Sequence, residues 1–142
     1  MILVTGGTGL IGSHLLYELM KSDLPVRAIY RDKLRIDRVR KLFDFYSNGN
    51  PHRFNKIEWV NADVLDLVSL KDAFVGVTHV YHCAAQVSFV RRDFKKMMKI
   101  NREGTCNILS FALANNIQKF GHISSTAAIG GRENELTTEK TK

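Results

Sequence analysis

The stretch from Ile2 to Leu15, ILVTGGTGLIGSHL, constrains the fold of this chain more than any other part of its sequence. It opens with three branched apolar residues, a pattern that predicts a short strand buried on both faces. A glycine-rich turn follows, and Ile11, Leu15 and Leu19 then repeat at spacings of four, as on the buried face of an amphipathic helix. Because strand, glycine turn and helix come in this order, the turn is predicted to bind phosphate groups.

Three glycines of this turn have separate predicted roles. Gly6 lets the chain leave the strand sharply, with a positive φ angle. Gly9 has no side chain, so a pyrophosphate can approach the backbone, and Gly12 lets the helix pack closely against the strand. The first helical residues, Leu10 and Ile11, present free N–H groups and the positive end of the helix dipole to the phosphates. A structural loop without a ligand is the alternative.

The composition of the chain fits one domain with a substantial core. The sequence has 142 residues, of which 44% are hydrophobic and 25% charged, as is ordinary for a globular protein. No apolar run approaches the length of a membrane span, and the chain starts directly on its first predicted strand. We therefore expect neither a membrane partner nor a signal peptide.

The net charge of +7 raises the question of a nucleic-acid partner. Many of the basic residues lie between Arg31 and Lys56, but no nucleic-acid-binding motif accompanies them. A solvated helix face together with a phosphate-binding arginine explains this cluster better. We therefore expect no nucleic-acid partner.

The cysteines and histidines indicate neither disulfides nor a metal site. Cys83 and Cys106 lie inside predicted elements without metal-ligand spacing, which favours reduced thiols in a cytoplasmic protein. His79 and His82 lack a nearby third ligand and are interpreted as strand histidines. We therefore predict no bound metal.

Hydrophobic periodicity predicts five strands that alternate with helices. The predicted strands span residues 2–4, 26–30, 57–60, 77–83 and 119–124. After the first helix, further helices are predicted at residues 32–46, 67–74 and 93–116, with Asp66, rather than Asp63, capping the third helix. This alternation predicts an α/β fold, a Rossmann-type doubly wound parallel sheet with strand order 3-2-1-4-5, incomplete at its C-terminal side.

The end of the second strand bears on the choice of dinucleotide. In folds of this type an acidic residue there accepts hydrogen bonds from the adenosine ribose and selects NAD. Here Tyr30 occupies the position and Arg31 follows, and a guanidinium can pair with a 2′-phosphate through two parallel hydrogen bonds. The predicted cofactor is therefore NADP. NAD stays open, because Asp32 lies close by and Arg31 is alternatively a solvated strand end.

The spacing Thr-Gly-x-x-Gly-x-x-Gly and the whole string TGGTGLIGSHL resemble the extended branch of the short-chain dehydrogenase/reductase superfamily. That branch includes NAD-dependent epimerases and dehydratases, dihydroflavonol reductases and 3β-hydroxysteroid dehydrogenases. Two later stretches carry the same resemblance: NREGTCNIL, from Asn101 to Leu109, and SSTAAIG, from Ser124 to Gly130. The resemblance covers nearly the whole chain and implies hydride transfer between a nicotinamide and a carbonyl or alcohol carbon.

The resemblance also implies roles for residues at the adenosine end of a cofactor. Arg31 would lie over the 2′-phosphate, and Arg38 matches by spacing a second basic residue that helps there. Asp63 would accept a hydrogen bond from the adenine amino group. The backbone of Val64 would meet the adenine ring.

Towards the nicotinamide, the resemblance implies a second group of site residues. A run of small residues would leave room for the ribose and the pyrophosphate: Cys83, Ala84 and Ala85. Asn101 would support the active site and contact the cofactor, and Ser124 would support the cofactor. Ser125 is the implied catalytic residue, whose hydroxyl would orient the substrate oxygen.

The acid/base pair of the superfamily, Tyr-x-x-x-Lys, does not follow Ser125 in this sequence. One match, from Tyr17 to Lys21, lies on the first predicted helix, far from the nicotinamide, and is rejected. We therefore expect the chain to be the N-terminal, cofactor-binding part of a longer enzyme, without turnover of its own.

Three functions of the parent protein stay open at this point. They are a reductase or dehydrogenase, a nucleotide-sugar epimerase or dehydratase, and an NAD(P)-binding sensor that does no chemistry. A small-molecule substrate is expected in the longer protein. A homodimer through the long helix at residues 93–116 is a further expectation from the resemblance.

Overall fold

A computed structural model describes residues 1–22, 24–48, 52–128 and 138 of the chain. Within these residues five parallel strands form one sheet: β1 (Ile2–Thr5), β2 (Val26–Tyr30), β3 (Glu58–Asn61), β4 (His79–His82) and β5 (Lys119–His122). Their order is β3-β2-β1-β4-β5. This order confirms the predicted α/β fold with a doubly wound parallel sheet of the Rossmann type.

The strands on one side of the sheet end at the level at which β1 ends. In the register of the sheet Thr5 lies beside His82, and His82 lies beside His122. Because the chain turns away from the sheet at Gly6, β4 loses its neighbour β1 beyond this level. The predicted spans 77–83 and 119–124 extend past these strand ends, and the first span also begins two residues before β4.

Helices connect the strands and cover the sheet. The α-helices are α1 (Leu10–Leu19), α2 (Ile36–Tyr46), α3 (Leu67–Ala73), α4 (Phe94–Met98) and α5 (Thr105–Ala114). Short 3-10 turns span Lys33–Arg35, Phe54–Lys56, Arg91–Asp93 and Thr126–Ala128. Asp66 caps α3 as predicted, since its carboxylate accepts a hydrogen bond from the N–H of Val68 at 3.0 Å.

The long helix predicted at residues 93–116 is present, but its middle differs from a regular α-helix. Between α4 and α5 the segment Lys99–Gly104 is π-helical. Such segments are rare and occur frequently at functional sites. The segment contains Asn101, one of the predicted site residues.

Two apolar cores lie on the two faces of the sheet. Leu3 of β1 packs in the core beneath α3 and α5, with Leu70 and Ile108. Ile2 and Val4 point to the opposite face and pack in the core beneath α1 and α2. Because β1 lies between two neighbours and two helical layers, all four of its residues are buried.

A buried arginine joins three elements on one side of the sheet. The guanidinium of Arg27 on β2 donates to the carboxylate of Glu58 on β3 at 3.0 and 3.2 Å. It also donates to the carbonyl oxygens of Ala73 and Val75, at the end of α3, at 2.8 and 2.7 Å. These hydrogen bonds compensate for the loss of water around a buried charge.

Several sequence expectations lie outside the described residues. They concern Ile129, Gly130 and the polar tail, of which Thr138 alone is described. Within the described ranges, no helix has the length and apolar character that a membrane span requires.

Candidate cofactor-binding site

A cleft of about 120 Å³ opens at the carboxyl ends of the central strands. It lies where the chain leaves β1 for β2 on one side while β4 follows on the other, the position at which open α/β sheets bind ligands. Seven of the predicted site residues line it: Gly6, Gly9, Arg31, Val64, Cys83, Ala84 and Ala85. The structure therefore brings together residues from four separate stretches of the sequence.

The glycine turn forms one wall of the cleft, and its geometry agrees with the prediction. Gly6 has a φ of 68°, and a Cβ there would lie 2.6 Å from the backbone nitrogen of Ala84. A Cβ on Gly12 would overlap the carbonyl oxygen of Gly6. At Gly9 a Cβ would meet only the carbonyl oxygen of Gly6, at 3.3 Å. Gly6 and Gly12 thus serve close packing, whereas Gly9 leaves space on its outer side.

The N-terminus of α1 presents unpaired backbone donors beside this wall. Gly9 is the N-cap residue, and its lack of a side chain means that no side-chain cap satisfies the first N–H groups. Leu10 and Ile11 follow with exposed side chains. The free N–H groups and the helix dipole favour an anion at this end of α1.

Two arginines lie at the end of the cleft that follows β2. Arg31 and Arg35 both line it, whereas Arg38, which the family spacing implies, does not. The chain forms the 3-10 turn Lys33–Arg35 before α2 begins, and Asp32 caps this turn by accepting from the N–H of Leu34 at 3.0 Å. The extra turn brings Arg35 to the cleft. The apolar pattern predicts one helix over residues 32–46, so the position of Arg35 at the cleft was not predicted from the sequence.

Arg31 is not isolated at this end of the cleft. Its Nη1 lies 3.6 Å from Oδ2 of Asp63, and both side chains are partly exposed. The other carboxylate oxygen of Asp63 accepts a hydrogen bond from the N–H of Leu65 at 2.9 Å. An exposed pair of this kind contributes less than about 1 kcal/mol, so an incoming phosphate group can compete with Asp63 for the guanidinium.

The long helix positions the wall that Val64 forms. Nδ2 of Asn107 donates to the carbonyl oxygen of Val64 at 2.9 Å. A Cβ on Gly104 would lie 2.6 Å from Cγ2 of Val64, so only a glycine permits this close approach. Asn107 and Gly104 belong to the stretch that carries the family resemblance, but no separate role for either residue was predicted from the sequence.

The opposite wall is the loop that follows β4. Cys83, Ala84 and Ala85 line the cleft with small side chains, and burial raises the pKa of the Cys83 thiol. Asn101 holds the end of this loop. Its Oδ1 accepts from the N–H of Gln86 at 2.8 Å, and its Nδ2 donates to the carbonyl of Gln86 at 2.9 Å. Asn101 thus contacts the loop directly, while its contact with a cofactor stays a prediction.

The two serines lie beyond the carboxyl end of β5. Ser124 and Ser125 are exposed, and the carbonyl oxygen of Ser125 accepts from the N–H of Ala128 at 2.9 Å. Neither serine is among the residues that line the cleft. The roles assigned to Ser124 and Ser125 therefore stay predictions. No cluster of potential metal ligands occurs among the described residues.

Comparison with protein families matches residues 2–142 to the model of the NAD dependent epimerase/dehydratase family. A putative dihydroflavonol 4-reductase from Synechocystis is 33% identical over 127 residues, which are 89% of this chain and 33% of the relative. A putative UDP-glucose 4-epimerase from Methanocaldococcus jannaschii is 34% identical over 145 residues, which cover 99% of this chain and 43% of the relative. The chain thus spans less than half the length of these relatives.

Solved structures share the same fold. A short-chain dehydrogenase/reductase superfamily protein from Agrobacterium tumefaciens, solved with bound NAD, superposes with a TM-score of 0.75 at 27% identity. The match covers 100% of this chain and 38% of that protein. By its sequence, its strand order and its glycine turn, the chain belongs to the NAD-dependent epimerase/dehydratase family.

Proposed function

We propose that this chain binds NADP(H) and forms the cofactor-binding part of an enzyme that moves hydride between the nicotinamide and a carbonyl or alcohol carbon. One observation carries the proposal. The cleft has a glycine turn and free helix N–H groups at its centre and two arginines, Arg31 and Arg35, at its adenosine end. Phosphate groups favour both environments.

The residues of the cleft fit a dinucleotide. The open space outside Gly9 is the space that a larger side chain would fill, and a pyrophosphate there meets the N-terminus of α1. Val64 and Ala62 offer an apolar wall to a flat ring. The small side chains of Cys83, Ala84 and Ala85 leave space along the opposite wall. When bound, the cofactor supplies or accepts the hydride. The chain's own residues bind it and orient it.

The preference for NADP over NAD rests on charge. Two guanidinium groups line the cleft. Their carboxylate neighbours, Asp63 at 3.6 Å from Arg31 and Asp32 at 3.8 Å from Arg35, form exposed pairs that a phosphate group can displace. A charge-assisted hydrogen bond contributes about 1.5–3 kcal/mol, or roughly 10- to 150-fold in affinity. Because Arg31 and Arg35 are both more than half exposed, we expect the lower end, about tenfold for each.

Isothermal calorimetry with NADP and NAD tests this preference. We expect the wild-type chain to bind NADP at least about tenfold more tightly than NAD. Arg31→Ala and Arg35→Ala should each lower the affinity for NADP about tenfold, while their affinity for NAD changes little. Lys41→Ala removes an exposed cation from α2 that does not line the cleft, and it should leave both affinities unchanged.

Arg38→Ala distinguishes between two assignments of the second phosphate ligand: Arg35, which lines the cleft, and Arg38, which the family spacing implies. If Arg38→Ala lowers the affinity for NADP and Arg35→Ala does not, the second phosphate ligand is Arg38, as the resemblance implies. If the wild-type chain binds NAD as tightly as NADP, the preference for NADP is wrong and Arg31 is a solvated strand end. If it binds neither dinucleotide, the whole proposal fails.

A nucleotide-sugar epimerase is the second candidate for the parent protein. It is favoured by the relative from Methanocaldococcus jannaschii, which is named a putative UDP-glucose 4-epimerase. The two candidates differ in their cofactor balance: a reductase consumes one reduced nicotinamide for each product, whereas an epimerase returns its cofactor unchanged. Following NADPH absorbance and the UDP-glucose to UDP-galactose ratio in the longer protein decides between them.

A further inference from the structure

A continuous chain of hydrogen bonds runs beneath the cleft, centred on the buried side chain of His82. Thr5 Oγ1 lies 2.7 Å from Nδ1 of His82, and Thr105 Oγ1 lies 2.9 Å from Nε2. The N–H of Ala84 donates to Thr5 Oγ1 at 3.3 Å. At the other end, Thr105 Oγ1 donates to the carbonyl oxygen of Asn101 at 2.7 Å. This chain of hydrogen bonds therefore links the ends of β1 and β4 to the π-helical segment.

The direction of each hydrogen bond follows from the number of protons available. The hydroxyl of Thr105 gives its one proton to the carbonyl of Asn101, so it must accept a proton from Nε2–H of His82. A neutral imidazole carries a single N–H, which leaves Nδ1 as an acceptor for the hydroxyl proton of Thr5. The hydroxyl oxygen of Thr5 then accepts from the N–H of Ala84. Every donor in this series of hydrogen bonds then has one acceptor.

The surroundings of His82 favour the neutral ring that this pattern requires. Burial lowers the pKa of His82 to about 4, and repulsion from His122 contributes further. The ring of His122 on β5 stacks on that of His82 with centroids 5.3 Å apart. The groups that face His82 from β1 and α5 are the uncharged hydroxyls of Thr5 and Thr105.

The hydrogen-bond chain centred on His82 holds one wall of the cleft at two points, one at each end of the loop after β4. Thr5 binds the backbone of Ala84, near the start of the loop after β4. Asn101, whose own carbonyl is held by Thr105, binds both backbone groups of Gln86 at the loop's end. Ala84 itself and Ala85, which lies between these two points, line the cleft.

We infer that His82, as the neutral imidazole with its proton on Nε2, is a positioning residue that keeps the loop at residues 83–86 in the shape that forms one wall of the cofactor cleft. Its effect on the loop is independent of any ligand. Its effect on dinucleotide affinity rests on the proposed function.

Nitrogen NMR of the wild-type imidazole tests the first half of this inference without any variant. The expected spectrum has a protonated Nε2 and an unprotonated Nδ1 at pH 7. A proton on Nδ1 in the folded protein would reverse the hydrogen bonds and overturn the inference.

Amide hydrogen exchange in His82 variants tests the second half. His82→Phe keeps an aromatic ring but removes both ring nitrogens, so exchange at Ala84 and Gln86 should accelerate at least about tenfold, and the Kd for NADP should rise about tenfold. The amide of His82→Asn reaches the Thr5 side, and that of His82→Gln reaches the Thr105 side. The amide of Ala84 should therefore exchange more slowly in His82→Asn than in His82→Gln. The amide of Gln86 should exchange more slowly in His82→Gln than in His82→Asn.

His79→Phe is the matched control. His79 lies on the same strand and bonds to Thr78, outside the chain centred on His82, so exchange at Ala84 and Gln86 should stay unchanged. Unchanged exchange at both amides in folded His82→Phe would disprove the positioning role. If the wild type binds no dinucleotide while its exchange pattern responds as expected, the proposed function fails and the role of His82 in the loop stands.

Discussion

At the scale of single residues, the glycines of the turn divide into those that the fold needs and one that the cleft needs. Gly6 and Gly12 are fixed by contacts with backbone atoms, at Ala84 and at Gly6 itself. Gly9 has extended backbone angles, φ −89° and ψ 174°, which any residue adopts without strain. A side chain at Gly9 would therefore point into space that the folded protein does not use.

Gly9→Val tests this division. We expect the variant to fold, with a loss of about 1 kcal/mol because valine is a poor N-cap residue, and to show no heat of binding with NADP in calorimetry. Gly12→Val should instead lose its folded circular dichroism spectrum, because its side chain would overlap the carbonyl of Gly6. Unchanged NADP affinity in folded Gly9→Val would contradict the assignment of this wall to the pyrophosphate.

At the scale of elements, one buried side chain holds β2, β3 and the end of α3 together. Arg27 is 8% exposed. Among the residues that the structure describes, its charge has one carboxylate partner, Glu58, besides two carbonyl oxygens. A buried cation that loses its counter-charge is costly, because its desolvation is then no longer compensated. The pair between Lys21 and Glu18 on the surface has no such constraint.

Glu58→Gln and Glu18→Gln form a matched pair that measures this difference. Both variants remove one negative charge and keep the size of the side chain. Urea denaturation should show a loss of about 1.5 kcal/mol for Glu58→Gln and less than about 0.5 kcal/mol for Glu18→Gln. Equal losses would mean that burial of Arg27 contributes nothing to the strength of its pair.

At the scale of the whole molecule, the stability of the fold is linked to the protonation of His82. The pKa of this residue is about 4 in the folded chain because of burial and, secondly, His122, whereas an unfolded chain has a histidine pKa of about 6.5. Between these values the unfolded state binds a proton that the folded state does not. The free energy of unfolding therefore decreases as the pH falls through this range.

The expected loss of stability from this one residue between pH 7 and pH 5 is about 2 kcal/mol. It is measured by comparing the pH dependence of urea denaturation in the wild type with that of His82→Phe. The variant should lack this part of the pH dependence, and His79→Phe should retain it. If the free energy of unfolding changed with pH in the same way in the wild type and in His82→Phe, His82 would have the same protonation in the folded and the unfolded state.

The fold and the glycine turn are predictable from the sequence because their signals are local. Apolar periodicity distinguishes strands from helices within a few residues, and the positive φ of Gly6 follows from a requirement of its own turn. The parallel order 3-2-1-4-5 follows from the alternation of the elements and the handedness of their crossovers. Asp66 caps α3 through an atom two residues away.

What only the tertiary structure decided are contacts between side chains that are far apart in the sequence. Thr5 and His82 are separated by 77 positions, and Asn107 and Val64 by 43. Arg35 comes to the cleft because a 3-10 turn precedes α2, a small change of backbone that periodicity does not reveal. The sequence by itself determined which elements form and in what order, because short-range physics governs them. The cleft's ion pair and the hydrogen bonds of His82 depend on where separate elements meet, so only the folded chain specifies them.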